Sequence, residues 1–378
     1  MKGIFALAYK LLVNDRAKFA ALLVGITFAV FLMIQMTSMF LGVLLRASST
    51  VLNVGASIWV MDPAVNTVAN SLGMPDYVAD FARSIDGVKF SVALYSGGAL
   101  VKLPDGTLQP VNVIGLDDTS LFGRPKLEKG SIEDIFADNG FIVVHDAEFG
   151  KLNNPSIGTE FELNDRRAVI VGVAAVASSG LFGIPTLYTT YTRAVQYIPS
   201  TRFTTAYILI EPKSSRDIAH IKAEIAKLGY IALTRDEFIH RISHYYTFQT
   251  GLGTNILIMT VIAFIVGLSI SGQTFYTFIL ENLEKFGALK AIGAKNSELV
   301  WMILFQSALV SATGFGLGIG LCIILIFIAR IRLPDYAALI TSGNLSLAFA
   351  MVIVIAAISS YIGVRRVLQI EPFDIFRG

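Results

Sequence analysis

The sequence predicts an integral membrane α-helical protein with four transmembrane helices and an α+β extracytoplasmic domain inserted between the first and the second. Composition is the first ground: of 378 residues, 54% are hydrophobic and 15% charged, with a mean hydropathy of +0.64, where soluble domains carry about a quarter charged residues. The second is a set of four charge-free runs, each long enough to cross a hydrocarbon core that about 20 helical residues span. The third is the placement of Lys and Arg around those runs, which sorts the flanks into two sides.

Taken in order, residues 1–18 read as an amphipathic helix on the cytoplasmic side. Residues 19–45 hold no Asp, Glu, Lys, Arg or His over 27 positions and are expected to be the first span. The run is about twice the length of a signal-peptide core and has no small-residue cleavage site, so it is read as a span and not a leader. Charge-free runs at 245–280, 299–329 and 336–364 give the other three, with spans expected at 250–280, 299–329 and 345–364. Lys2, Lys10, Arg16 and Lys18, then Lys285, Lys290 and Lys295, then Arg365, Arg366 and Arg377 put ten basic residues on one side, against Arg330 and Arg332 on the other. Basic residues near a span stay in the cytoplasm. Both termini, the 281–298 loop and the tail 365–378 are therefore expected inside, and residues 46–244 and the short loop 330–344 outside.

Residues 46–244 alternate in period two between turn signals. Pro104, Asp105 and Gly106 separate one pair of strands, and Asn164 and Asp165 another. A helix is expected over 215–228, with Ile218, Ile221, Ile225 and Leu228 on one face and Gly229 as its stop. It lies between the strands "AYILIEP" and "YIALT", a β-α-β unit. The segment "SSGLFGIPTLYTTYTR" offers Gly, Phe and Pro between strands as a partner contact, against an equal reading as a turn tucked into the core.

Chemistry is sparse. No nucleophile elbow, zinc-helix motif or phosphate loop occurs, so no enzyme activity, cofactor or metal is expected. Asp236, His240 and His244, spaced i, i+4, i+8 on one helical face, are the weak metal candidates, set against a polar helix leading into the second span. The only cysteine, Cys322, excludes an intrachain disulfide. A net charge of +2 without a basic aromatic stripe argues against nucleic acid. The spans carry no internal ionisable group of the kind an ion-coupled carrier needs, only Gln35, Thr37, Gln273, Gln306, Ser311, Ser359 and Ser360. Gly314, Gly316, Gly318 and Gly320 are small residues for close helix approach. If something is moved, a partner must supply the energy. The 281–298 loop is where it would act, through a short helix with Leu283, Phe286, Leu289 and Ile292 every third residue, set against an ordinary connection lying in the headgroups. Gly293 is its stop, and Phe286 is the largest apolar side chain expected to enter a partner's groove.

The run Glu284 to Ala294, "EKFGALKAIGA", resembles the coupling segment of the MacB/LolC/FtsX superfamily of ABC permeases. So does the closing "RRVLQIEPFDIFRG", and "LEKGSIEDIFADNGFIVVHDAEFGKL" is similar to that family's periplasmic core. Within it the chain looks most like the heterocyst-exporter permeases called DevC. The resemblance implies a MacB-like periplasmic core, a homodimer and an inner-membrane location. It also implies a separate cytoplasmic ATPase that binds the ATP, with a periplasmic membrane-fusion adaptor, an outer-membrane channel and membrane lipids as further partners. Glu284, Lys285, Phe286, Gly287, Leu289, Lys290, Ile292, Gly293 and Ala294 become the ATPase-coupling residues. The implied function is the permease subunit of an exporter for a lipid or other hydrophobic cargo. The alternative is an FtsX-like subunit that transmits force to a periplasmic enzyme.

Overall fold

The computed structural model describes residues 2–176, 183–198, 205–333 and 336–369. Residues 178–182 of the expected contact loop, and the tail from residue 370 with Arg377, lie outside the described residues. The chain divides into two compact units: Met1–Gly42 with Gly253–Gly378, and Val43–Leu252.

Helices α1 (Lys2–Asn14) and α2 (Arg16–Ala47) open the chain. Asp15 makes the break between them. Its carboxylate accepts the Lys18 backbone N–H at 3.3 Å and the Lys18 ammonium at 3.0 Å, so it caps α2 by satisfying a free N–H of the first turn.

The second unit runs α3 (Ser49–Val54), β1 (Ile58–Met61), α4 (Tyr77–Ser84), β2 (Val88–Lys102), β3 (Leu108–Leu116), β4 (Lys126–Gly130), β5 (Gly140–Val144), β6 (Glu160–Leu163), β7 (Arg166–Ala175), β8 (Thr186–Thr190), α5 (Tyr191–Tyr197), β9 (Tyr207–Pro212), α6 (Ile218–Lys227), β10 (Ile231–Thr234) and α7 (Arg235–His244). Four strands pair antiparallel in the order β10-β1-β9-β2. With α4 joining β1 to β2 and α6 joining β9 to β10, this is the split β-α-β arrangement of ferredoxin-like folds. One face buries Ile58, Val60, Ile208 and Ile210 against Val78 and Ala82 of α4 and Ile221 and Ile225 of α6. The other buries Trp59 edge-on to Tyr207 at 5.4 Å and beside Phe238 of α7 at 5.6 Å. The expected β-α-β unit thus straddles β1, because β9 and β10 are both antiparallel to it.

Strand β2 belongs to two sheets. Val88–Leu94 pairs with β9, and from Tyr95 to Lys102 the same strand pairs with β3. The order continues β3-β8-β5-β7, and β6 pairs with β7 and also back onto β2 through Val101↔Leu163 and Lys102↔Glu162. Six strands therefore close a ring. Alternate residues of each strand, among them Val111 and Val113, Phe141 and Val143, Phe161 and Leu163, Ala168 and Ile170, form one buried cluster, as the two-residue period of strands dictates. Both expected hairpins are present. Gly106 has φ 85 at the β2–β3 turn, and Asn164 and Asp165 have φ 46 and 63 at the β6–β7 turn, the doubly left-handed geometry that matches strand twist in a two-residue hairpin.

The chain returns through α8 (Leu252–Glu281), α9 (Leu283–Ala291), α10 (Asn296–Arg332) and α11 (Ser342–Leu368). Among the described residues four helices, α2, α8, α10 and α11, are long and apolar enough to cross a membrane. Small residues let them approach. A β-carbon on Gly314 would lie 2.7 Å from Ile26 Cγ2, one on Gly318 2.6 Å from Val30 Cγ1, and one on Gly267 of α8 2.4 Å from Ala29 Cβ. Gly316 and Gly320 have open space instead. The glycine row serves packing on one face only, the i, i+4 face toward α2. Among the polar residues of the spans, Gln306 donates to the Ala8 carbonyl at 2.9 Å, and Gln35 meets the Tyr336 hydroxyl and accepts from Cys322 Sγ at 3.5 Å. Thr37 and Ser360 bond within their own helices, and Gln273 is exposed.

Candidate functional site: the loop between α8 and α10

The segment from Glu281 to Glu298 is built by three local devices. Asn282, 3% exposed, donates its side-chain amide to the Phe278 carbonyl at 2.8 Å and accepts the Lys285 ammonium at 2.7 Å. It thereby satisfies one of the free carbonyls that end α8 and ties that end to the first turn of α9. Helix α9 stops at Gly293, whose φ of 105 suits a residue without a β-carbon. The Ala294 N–H returns to the Leu289 carbonyl at 3.0 Å. Helix α10 then starts with Glu298 accepting the Lys295 backbone N–H at 2.9 Å, a first-turn carboxylate placed favourably at a positive helix end.

Within this frame the predicted coupling residues separate into two sets. Phe286 and Gly287 are buried, and Phe286 joins the helix-bundle core with Phe275, Phe278, Ile279 and Leu299. Phe286 as a side chain free to enter a partner's groove is therefore corrected. The reason is angular: at 3.6 residues per turn, residues six apart point about 120° away from each other, so a stripe of every third residue winds around the helix. Ile292 ends it on the outside, 86% exposed. Glu284, Lys285 and Gly293 are exposed too, while Leu289, Lys290 and Ala294 are half-buried. Lys290 reaches the Leu368 carbonyl of α11 at 3.4 Å. The outward chemistry is thus one large aliphatic side chain flanked by charges of both signs.

The other candidate cluster does not come together. Asp236, His240 and His244 are all exposed on α7, His244 lies against Phe248 with ring centroids 4.9 Å apart, and no group of three potential ligands occurs among the described residues.

Two arrangements escaped sequence reading. Asn282 was legible in principle, as an amide at a helix end. The second lies in the inserted unit: Glu148, fully buried, takes Arg46 Nη1 at 3.4 Å and Lys151 Nζ at 2.8 Å. Lys151 is one turn away, whereas Arg46 comes from about a hundred positions upstream, and no local pattern announces that pairing.

Four apolar helices with a two-part α/β domain inserted after the first define a multi-pass membrane protein. Residues 19–228 match the family described as MacB-like periplasmic core domain, and residues 256–372 the FtsX-like permease C-terminal family. The chain belongs to the MacB/FtsX-like ABC permeases. It is 25% identical over 346 residues to an uncharacterised ABC transporter permease of Mycobacterium tuberculosis, covering 89% of each. A Staphylococcus haemolyticus protein assigned as a hemin transport system permease, HrtB, is 26% identical over 121 residues, 32% of this chain and 34% of that one. The macrolide export ATP-binding/permease protein MacB of Photorhabdus laumondii is 29% identical over 96 residues, 25% of this chain and 15% of that one. The matched segments span about a third or less of these two relatives. The periplasmic region of MacB from Actinobacillus actinomycetemcomitans aligns at 13% identity and a TM-score of 0.36, over 50% of this chain and 92% of that one.

Proposed function

We propose that this chain is the permease subunit of an ATP-driven export complex, in which a separate cytoplasmic ATPase docks on the 281–298 loop and moves the inserted domain through the spans. The observation that carries the reading is the loop itself. A short helix, stopped by a left-handed glycine and presenting Ile292 outward, bridges two spans and is pinned to the bundle by Phe286. Such an element passes force to the spans because its inner side is part of their core. The ten-to-two distribution of basic residues supports placing the loop and both termini in the cytoplasm and the inserted domain outside. A lone docking loop per chain supports a homodimer, since an ATPase pair with two-fold symmetry needs two.

For cargo, the apolar spans free of internal charge favour a lipid or other hydrophobic molecule, and the hemin and macrolide named for the two partial relatives are both of that kind. The motif likeness to the DevC subgroup supports a dedicated ATPase, a periplasmic adaptor and an outer-membrane channel as the complete assembly. The test is cross-linking in whole cells from Ile292→Cys, in a Cys322→Ser background, followed by reconstitution with the captured ATPase. Capture of an ABC ATPase, with hydrolysis raised by a hydrophobic cargo that leaves the membrane, is the expected result. Hydrolysis that drives a periplasmic hydrolase with no cargo leaving would replace export by force transmission. Capture of no ATPase would remove the permease reading altogether.

A further inference from the structure

Beside the coupling loop, α1, the start of α2 and Lys285 in the first turn of α9 border an open surface cleft of about 500 Å³. Lys10, Arg16 and Lys285 line it, all three exposed, together with Leu7, Tyr9 and Val13. The nearby carboxylates are already engaged: Lys18 binds Asp15 at 3.0 Å and also takes Glu281. Asp15 also feels Lys285 electrostatically, so the cleft's own balance is three cations against one shared carboxylate. Lys285 spends one hydrogen bond on Asn282, and an ammonium has three to give. The apolar side of α1 packs inward through Ala8 and Leu12, and Phe5 lies 5.0 Å from Phe305 of α10, which leaves Leu7 and Tyr9 outward at the rim of the cations.

A cation cluster edged by an exposed aromatic and aliphatic pair, on a helix packed beside a span, fits a phosphate that carries acyl chains. We infer that this cleft is a headgroup site for an anionic phospholipid, whose phosphate bridges Lys10 and Arg16 to Lys285 and so ties the amphipathic helix to the coupling loop. The inference deepens the proposed function and rests on it for the role of Lys285. Charge complementarity selects the occupant: an acidic lipid brings net negative charge to the three cations, and a zwitterionic one brings its own ammonium against them.

The test is retention of phosphatidylglycerol against phosphatidylcholine by the purified full chain, read by native mass spectrometry as each lipid is titrated. The wild type is expected to favour phosphatidylglycerol by about tenfold or more, at about a factor of five per basic residue near an anionic headgroup. Lys10→Gln/Arg16→Gln/Lys285→Gln brings the ratio near one, and Lys10→Arg/Arg16→Lys/Lys285→Arg keeps it, which separates charge from folding. Equal ratios in the wild type and the glutamine variant overturn the site. Displacement of the lipid by inorganic phosphate would make it a free-anion site, and an unchanged ratio with loss of ATPase co-purification would make it a protein surface. Either result overturns the lipid assignment. Retention in detergent does not depend on which way the chain is inserted. Labelling of Lys10→Cys from outside intact cells would therefore sink the sidedness of the proposed function while leaving the lipid site standing.

Discussion

Val30 of α2 occupies the space that a β-carbon on Gly318 of α10 would need, its Cγ1 lying 2.6 Å from that position. Ile26 stands in the same relation to Gly314, one turn away, at 2.7 Å. A β-carbon on Gly316 or Gly320 would point into open space, so the four glycines of one short sequence have two different roles.

Gly314→Leu and Gly318→Leu should each push α2 from α10 and destabilise the bundle by about 1–3 kcal/mol, the usual cost of overpacking. Gly316→Leu and Gly320→Leu should leave thermal stability in detergent close to wild type. Equal losses in all four would show that the contact with α2 does not govern this row, since leucine favours a helix over glycine at every one of these positions.

The division of the 281–298 loop into inner and outer residues separates two variants cleanly. Phe286→Ala removes a fully buried ring and should cost about 3–5 kcal/mol of stability. Ile292→Ser, at an 86% exposed position, should leave the melting temperature unchanged while weakening ATPase recruitment, measured by pull-down from membranes. An unstable Ile292→Ser with normal recruitment would reverse the assignment.

Gly293 tests backbone geometry where space is not limiting, since no atom lies within 4 Å of its would-be β-carbon. At φ 105 any L residue is strained by about 1–3 kcal/mol. Both Gly293→Ala and Gly293→Val are therefore expected to reduce ATPase stimulation by cargo. Full stimulation in both variants would mean that the stop is dispensable.

Breaking the Arg46–Glu148 pair should destabilise the inserted unit, because the buried carboxylate then keeps Lys151 as its cation with Arg46 gone, at a cost below the about 3–5 kcal/mol of a buried charge left wholly unpaired. Of the two tryptophans in the chain, Trp59 is buried in this unit and Trp301 is exposed on α10. In a Trp301→Phe background, Trp59 fluorescence therefore reports unfolding of the inserted unit. Arg46→Met should shift that transition downward, and an unchanged transition would show that Lys151 alone neutralises Glu148.

The same fluorescence reports a pH dependence. Lys222, and then the Thr234 backbone N–H, hold the Glu237 carboxyl below its ordinary value of 4.5. A carboxyl whose folded value is lowered adds stability in full above the ordinary value, and the gain disappears as pH falls through the lower, folded one. Stability should thus decline in acid below about pH 4.5, and Glu237→Gln should flatten that decline. Identical acid limbs in the two proteins would assign the loss to other carboxyls.

What the sequence determined by itself is what short stretches encode. The four spans follow from charge-free length, since a charge inside the hydrocarbon carries a penalty no neighbour is needed to explain. The hairpins at Gly106 and at Asn164–Asp165 follow from backbone angles that few residues adopt, and the stop at Gly293 follows for the same reason. The resemblance around residues 284–294 pointed to the permease family without any coordinates. Only the tertiary structure decided partners. A two-residue period says that Val101 and Leu163 are buried, but not that β6 closes a ring by pairing with β2 as well as β7. Periodicity counted Phe286 and Ile292 as one stripe, and the bundle core took the first and left the second outside. Arg46 and Glu148 carry no mark of each other. Faces are set by spacing along a chain, whereas pairing is set by which distant segments pack together, and that is fixed by the whole fold at once.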